Sequence, residues 1–214
     1  MSKRLLAFGC SHTYGHGLVD CYNKKTGAAG EKPSKYAWPQ LVADYYGLEC
    51  INLSKPGASN KEIWWKITQQ KYFSADTVVI LWSYPHRSAM IRNENDIKQL
   101  GYGFEDQASK DFTSFISRVS TDYNFGVDGW MYIDFANRIL RDSKVKKIYN
   151  FVINYQCYEL VNANWITTNI ISDAQEFILP VDLALDNNHA GPIANKKFAD
   201  RVIDIFKGEN NEYT

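Results

Sequence analysis

The sequence has no excess of charge of either sign: 24 Lys and Arg stand against 24 Asp and Glu. A zero balance leaves no overall electrostatic footprint for nucleic acid or an anionic membrane surface, so neither is expected as a partner. Long hydrophobic runs are also missing. No stretch approaches the ~20 apolar residues that cross a bilayer. The first apolar run, Leu5-Leu6-Ala7-Phe8, follows Lys3 and Arg4 but ends at Gly9, short of the ~7–15 residues of a secretory signal core. A cytoplasmic protein is the expectation. Cysteine is scarce: Cys10, Cys21, Cys50 and Cys157, with no C-x-x-C pair. That spacing signals neither a zinc knuckle nor a thioredoxin-type redox site, and without a secretion signal the thiols are expected to stay reduced. There is no internal repeat, no low-complexity tract and no linker rich in Pro, Gly or Ser.

What is present is an ordinary globular composition, 45% hydrophobic and 22% charged over 214 residues, enough chain for one sizeable core. Strands are expected at 4–9, 48–53, 76–83 and 147–155, with a last short one at 176–180. The run 76–83 is the clearest, a continuous β-branched stretch bounded by polar residues. Helices are expected at 38–47 (Pro39 near the start, Gly47 at the end), from Ser59 or Asn60 to about Phe73, near 108–120 and 128–142, and at 192–207. In the last helix Ile193, Phe198, Val202, Ile205 and Phe206 fall on roughly one face. Residues 11–35 read as loop and 84–107 as irregular. Strands alternating with helices imply βαβ units and a mostly parallel sheet. Ligands then bind beyond the carboxyl ends of the strands, so the loops after Gly9, Leu53 and Trp82 should converge on one edge.

Three features fall at that edge. Phe8-Gly9-Cys10-Ser11-His12-Thr13 directly follows the first strand and presents a serine on a rigid turn. Asn52–Asn60 follows the second strand and includes Gly57, whose backbone N–H carries no side chain in its way and suits an oxyanion donor. Asp186-Asn187-Asn188-His189 precedes the last helix. A serine is a weak nucleophile until a histidine, oriented by a carboxylate, takes its proton. The Asp-x-x-His spacing lets the carboxylate fold back onto the imidazole. Asp182 is a rival for that orienting role.

These blocks, in this order, resemble those of the SGNH (GDSL-type) hydrolases, with Phe8–Thr13 as the first block, Gly57 in the second and Asp186–His189 in the fifth. The resemblance runs from the first strand to the last helix. It implies a flavodoxin-like three-layer α/β/α sandwich with a mostly parallel sheet, a single domain over 1–214 with an insertion at about 88–145, and no metal or other cofactor. It further implies a carboxylic ester hydrolase acting on small acyl esters, O-acetylated carbohydrate among them. Ser11 is then the nucleophile, His189 the base and Asp186 its orienting carboxylate, with the Ser11 and Gly57 N–H groups lining the oxyanion hole. The third block, ordinarily Gly-x-Asn-Asp, is here Trp82-Ser83-Tyr84-Pro85-His86-Arg87. The missing donor falls to Asn60, Ser83, His86 or Arg87.

Competing readings stand beside this one. A catalytically weak carbohydrate-binding or structural module on the same fold, or an acyltransferase using the same triad, would share these residues. Cys10 is a second candidate nucleophile. His12 and His16 are spaced four apart like zinc ligands on a helix, but they lie between Gly9 and Gly17, and that stretch lacks the Gly-Lys-[Ser/Thr] ending of a phosphate loop.

Overall fold

A computed structural model describes residues 3–93, 96–101, 104–153, 156–161 and 170–211. In chain order the elements are β1 (Arg4–Phe8), α1 (Ser11–Tyr14), α2 (Trp38–Tyr46), β2 (Glu49–Asn52), α3 (Asn60–Thr68), β3 (Thr77–Trp82), β4 (Ser88–Asn93), β5 (Asp96–Leu100), α4 (Gln107–Val119), α5 (Asp122–Asp142), β6 (Lys147–Val152), α6 (Gln156–Glu159), β7 (Ser172–Asp173), α7 (Gln175–Ile178) and α8 (Pro192–Asn211). The main sheet has the order β2-β1-β3-β6-β7, and every pairing in it is parallel. Counted along the chain this is 2-1-3-4-5, the flavodoxin-like winding.

The sheet is covered on both faces, which is why β1 and β3 read as near-continuous apolar runs. On one face α2 and α8 pack together, with Trp38 of α2 and Phe198 of α8 edge to face at 4.9 Å and Phe151 of β6 5.3 Å from Phe198. On the other face α3 and α5 bury Ile63, Ile67, Ile133, Ala136 and Leu140 in the same core. So α5, which falls inside the segment read as an insertion, supplies a layer of the sandwich. The antiparallel β4–β5 hairpin stands apart as its own two-stranded sheet.

Several expectations need correction. The apolar run 176–180 is no strand: α7 occupies Gln175–Ile178, and the edge of the sheet is filled by Ser172–Asp173 beside Phe151 and Val152. Helical spacing wins because it buries Ala174 and Phe177 together, while Leu179 is left 77% exposed. Residues 84–107 are not irregular throughout, since they contain the hairpin. Its strands, SAMIRN and DIKQL, are too polar and half-exposed to signal themselves. The helix expected at 128–142 begins at Asp122, where the Thr121 hydroxyl accepts from the Asn124 N–H. On α8, Ile193 turns out exposed. The end of the strand expected to reach 155 lies outside the described residues. Among the described residues, no helix is long and apolar enough to cross a membrane.

A buried polar chain ties the core together. The Trp82 indole N–H donates to Asn150 Oδ1 at 2.9 Å, the Asn150 amide donates to Asn137 Oδ1 at 3.2 Å, and the Asn137 amide donates to the Ile133 carbonyl at 2.7 Å. These bonds link β3, β6 and α5. Removing the middle member strands a donor on one side and an acceptor on the other, each at a desolvation cost of ~1–3 kcal/mol. Asn150→Ala is expected to lower the free energy of unfolding in urea by about 2 kcal/mol or more; a loss under about 0.5 kcal/mol would show that the chain is not structurally important.

Candidate active site

Ser11 opens α1 at the carboxyl end of β1. Cys10 is extended (φ −101°, ψ −151°), and its carbonyl accepts from the N–H groups of Thr13 and Tyr14. The N–H of Ser11, in the first turn, has no intrahelical acceptor. Asn52, at the end of β2, donates to the Thr13 carbonyl at 2.8 Å and pins this turn to the sheet. Cys10 is fully buried at the strand end, whereas Ser11 reaches a cavity.

The C-terminal loop reaches the same place through backbone bonds. Leu185 N–H donates to the Gly17 carbonyl, and Leu183 bridges Ala190. Within this loop Asp186 makes an Asx-type turn. Its Oδ1 accepts from the N–H groups of Asn188 (3.1 Å) and His189 (3.0 Å), and Asn187 takes the left-handed conformation (φ 54°) that asparagine tolerates. Oδ2 receives the His189 Nδ1–H at 2.5 Å. Asp182 does something else. It accepts from the N–H groups of Ile193 and Ala194 and so caps the start of α8. Gly17 lies directly against Asp186: a Cβ there would come 2.7 Å from Oδ1, and the backbone φ is +87°.

A cavity of about 770 Å³ has Ser11, His12, Tyr84, His86, Arg87 and His189 among its walls, with Phe177, Ile178, Pro180 and Leu183 on an apolar side. Of the expected site residues, the fold thus brings Ser11, His189, His86 and Arg87 to one space, with Asp186 behind His189. Gly57, Asn60 and Ser83 are not among the lining residues. Gly57 lies under Gln99 of β5 and Phe104, and Gln99 donates to the Pro56 carbonyl at 3.0 Å. Asn60 is buried, accepting from the Ser83 N–H at 2.7 Å and donating to the Tyr158 hydroxyl at 3.0 Å.

Electrostatics at the site are set by burial and crowding. Burial pushes the Asp186 carboxyl up, but hydrogen bonds from the His189 N–H, the His189 ring and the Asn188 N–H more than offset it, and the net shift is downward. Burial lowers His189. Asp186 opposes this, while the imidazole of His16, 4.6 Å away between centroids, and the Arg87 guanidinium add to the lowering. His12 is fully buried, its ring 5.1 Å from Phe177 and 5.4 Å from His189, and burial drives it to about 3, helped by His189 and Arg87.

Among the described residues, two groups bring metal-ligating side chains within 4.8 Å of one another: His16, Asp186 and His189, and His86, Asp122 and Cys157. In the first, the Asp186 oxygens already accept three hydrogen bonds, which is the chemistry of an acid–imidazole pair. In the second, burial and the nearby Asp122 push the thiol of Cys157 up. The i, i+4 spacing of His12 and His16 thus reflects two rings packed around a third. The apolar walls near 177–183 and the contact of His16 with His189 gave no signal in the sequence, because both depend on long-range folding.

No protein-family model matches the sequence, and no curated protein matches it. Solved structures do. The acetyl xylan esterase Est2A from the rumen bacterium Butyrivibrio proteoclasticus matches with a TM-score of 0.60 at 9% identity, over 99% of this chain and 65% of that one. The psychrotrophic esterase EstA from Pseudoalteromonas sp. matches with a TM-score of 0.55 at 11% identity, over 98% and 99% of the two chains. A lipolytic protein of the G-D-S-L family from Desulfitobacterium hafniense gives 0.51 at 11% identity, over 95% and 99%. The chain has the SGNH hydrolase fold. It spans only 65% to 66% of the length of carbohydrate esterases it matches. As in the SGNH blocks, the serine turn follows the first strand and the Asp-x-x-His turn precedes the last helix.

The buried state of His12 carries a stability consequence. In the unfolded chain its imidazole takes a proton near pH 6.5, in the fold only near 3. Between those values the unfolded state binds more protons, so stability falls as pH falls, by on the order of 1 kcal/mol per pH unit. His12→Phe is expected to flatten the difference between urea unfolding at pH 7 and at pH 5. Equal acid sensitivity in the variant and the parent would rule out His12 as its source.

Proposed function

We propose that this SGNH-fold protein is a serine esterase that hydrolyses small acyl esters, O-acetylated carbohydrate among them. The observation that carries the reading is the meeting of Ser11 with a carboxylate-oriented His189 in one cavity. Ser11 Oγ attacks the ester carbonyl while His189 Nε2 takes its proton. Asp186 holds Nδ1–H, fixing the tautomer and stabilising the imidazolium as it forms. The Ser11 N–H, without an intrahelical acceptor, points the first oxyanion contact. Collapse passes the proton from His189 to the leaving alcohol and leaves an acyl-serine. Water, deprotonated by the same imidazole, then releases the acid and restores Ser11.

Ser11→Ala is expected to abolish hydrolysis of p-nitrophenyl acetate and labelling by a fluorophosphonate, with the fold retained; turnover unchanged from the parent would refute the nucleophile assignment. Asp186→Asn should lower kcat by about 10³–10⁴ by analogy with other triads. Asp182→Asn keeps one of the two N–H bonds that its carboxylate accepts and should instead cost about 1 kcal/mol of stability, and the opposite ranking in kcat would transfer the orienting role to Asp182.

The pH profile follows from the direction of the His189 shift. The neutral imidazole is the active form and its pKa is lowered, so the acid limb of kcat/KM should fall below the ordinary histidine value of 6.5. His16→Gln removes one of the groups that disfavour the proton and should move that limb upward. A limb above 6.5 in the parent, or a downward move in the variant, would contradict the assignment of His189 as base.

A further inference from the structure

The cavity that holds Ser11 and His189 is electrostatically one-sided. Among the described residues, its walls carry one guanidinium, Arg87, and three imidazoles, and no Asp or Glu, in a chain whose overall formal charge is zero. Arg87 also stands apart from the other arginines. Arg4, Arg92, Arg138 and Arg201 each hold a carboxylate, and Arg118 and Arg141 are exposed. Arg87 is partly buried, and among the described residues its contacts are the Tyr84 ring, 5.0 Å from the guanidinium carbon, and a long 3.5 Å approach of Nη1 to Ser83 Oγ. The place over the Tyr84 ring does not use the N–H fork. A partly desolvated cation with its donors unspent gains most from an anionic ligand that it can grip in bidentate fashion.

We infer that Arg87 is the anion subsite of this cavity, and that the preferred ester carries a carboxylate or phosphate on the part of the molecule lying against Tyr84 and Arg87. This rests on the esterase reading for the reaction but not for the binding. The apolar side formed by Phe177, Ile178, Pro180 and Leu183 takes the carbon skeleton. Arg87 selects the substrate by its charge.

Hydrolysis of 4-acetoxybenzoate and of its methyl ester at pH 8, where His189 is neutral, tests the inference. The methyl ester releases the more acidic phenol, so intrinsic reactivity favours the neutral compound and a preference for the charged one reports recognition. The parent should favour 4-acetoxybenzoate in kcat/KM by about tenfold or more, the worth of one charge-assisted contact. Arg87→Gln should erase that ratio, and Arg87→Lys should keep part of it. Equal ratios in the parent and Arg87→Gln would overturn the subsite. A binding arm on Ser11→Ala, with benzoate, phenyl phosphate and neutral benzamide as probes, decides the matter even without turnover. Both anions should bind about tenfold tighter than benzamide, their order telling carboxylate from phosphate, and the advantage should vanish when Arg87→Gln is added. Indifference to charge there sinks the anion subsite. Failure to hydrolyse either ester, with no fluorophosphonate labelling, sinks the esterase reading instead.

Discussion

The parallel pairing of β1 with β2 and β3 is the constraint on which the rest depends. Leu5 stands beside Cys50 and Thr77, and Phe8 beside Ile80. Strands that all run the same way release their following loops at one edge, so the residue three positions past Phe8 has no choice but to emerge there. Ser11 is therefore placed by main-chain hydrogen bonding and by two covered sheet faces, the least deformable part of the molecule. His189 is placed by weaker means: a backbone bond from Leu185 to Gly17, the Asp182 cap on α8 and the seating of α8 against α2. The serine belongs to the scaffold, and the histidine is delivered to it.

That delivery brings titratable groups closer together than water would favour. His16 and Arg87 disfavour a proton on His189, and His189 and Arg87 disfavour one on His12. Asp186 resists burial only because three N–H donors converge on it. The consequence is an oriented imidazole whose proton is disfavoured, on the same cavity as the Ser11 hydroxyl. The fit of Gly17 under Asp186 belongs to the same device. A side chain at position 17 would displace the carboxylate that holds the ring.

How much of this the sequence discloses depends on whether the determinant is local. β3 and the Asp-x-x-His turn are legible, since a run of buried β-branched residues and an Asx turn are settled within a few residues. The start of α5 is not. Gly126 and Gly129 look like helix breakers, yet α6 packs so closely that a Cβ at Gly126 would lie 2.1 Å from the Cys157 carbonyl. Their presence answers a contact far along the chain. The hairpin hides for the opposite reason: with few apolar residues and one pairing partner, β4 and β5 present no periodicity to read. The short helix at 175–178 was obscured by an apolar run that only the position of α8 and the Glu176–Arg201 ion pair resolves.

The departure of the third block is where local pattern and site chemistry meet. After Trp82 the chain does not present an asparagine to the cavity. The Ser83 N–H is instead taken by Asn60 from α3, and the turn through Pro85 carries His86 and Arg87 to the cavity wall. A fixed cation thus stands at this edge of the sheet. An amide at that position serves any ester alike, because every tetrahedral intermediate bears the same oxyanion. A cation that meets a second anion elsewhere on the substrate holds it equally in the ground state and the transition state, so it selects esters by their charge through KM rather than kcat. Arg87 can make that selection because, among the described residues, no carboxylate in the walls of the cavity competes for it.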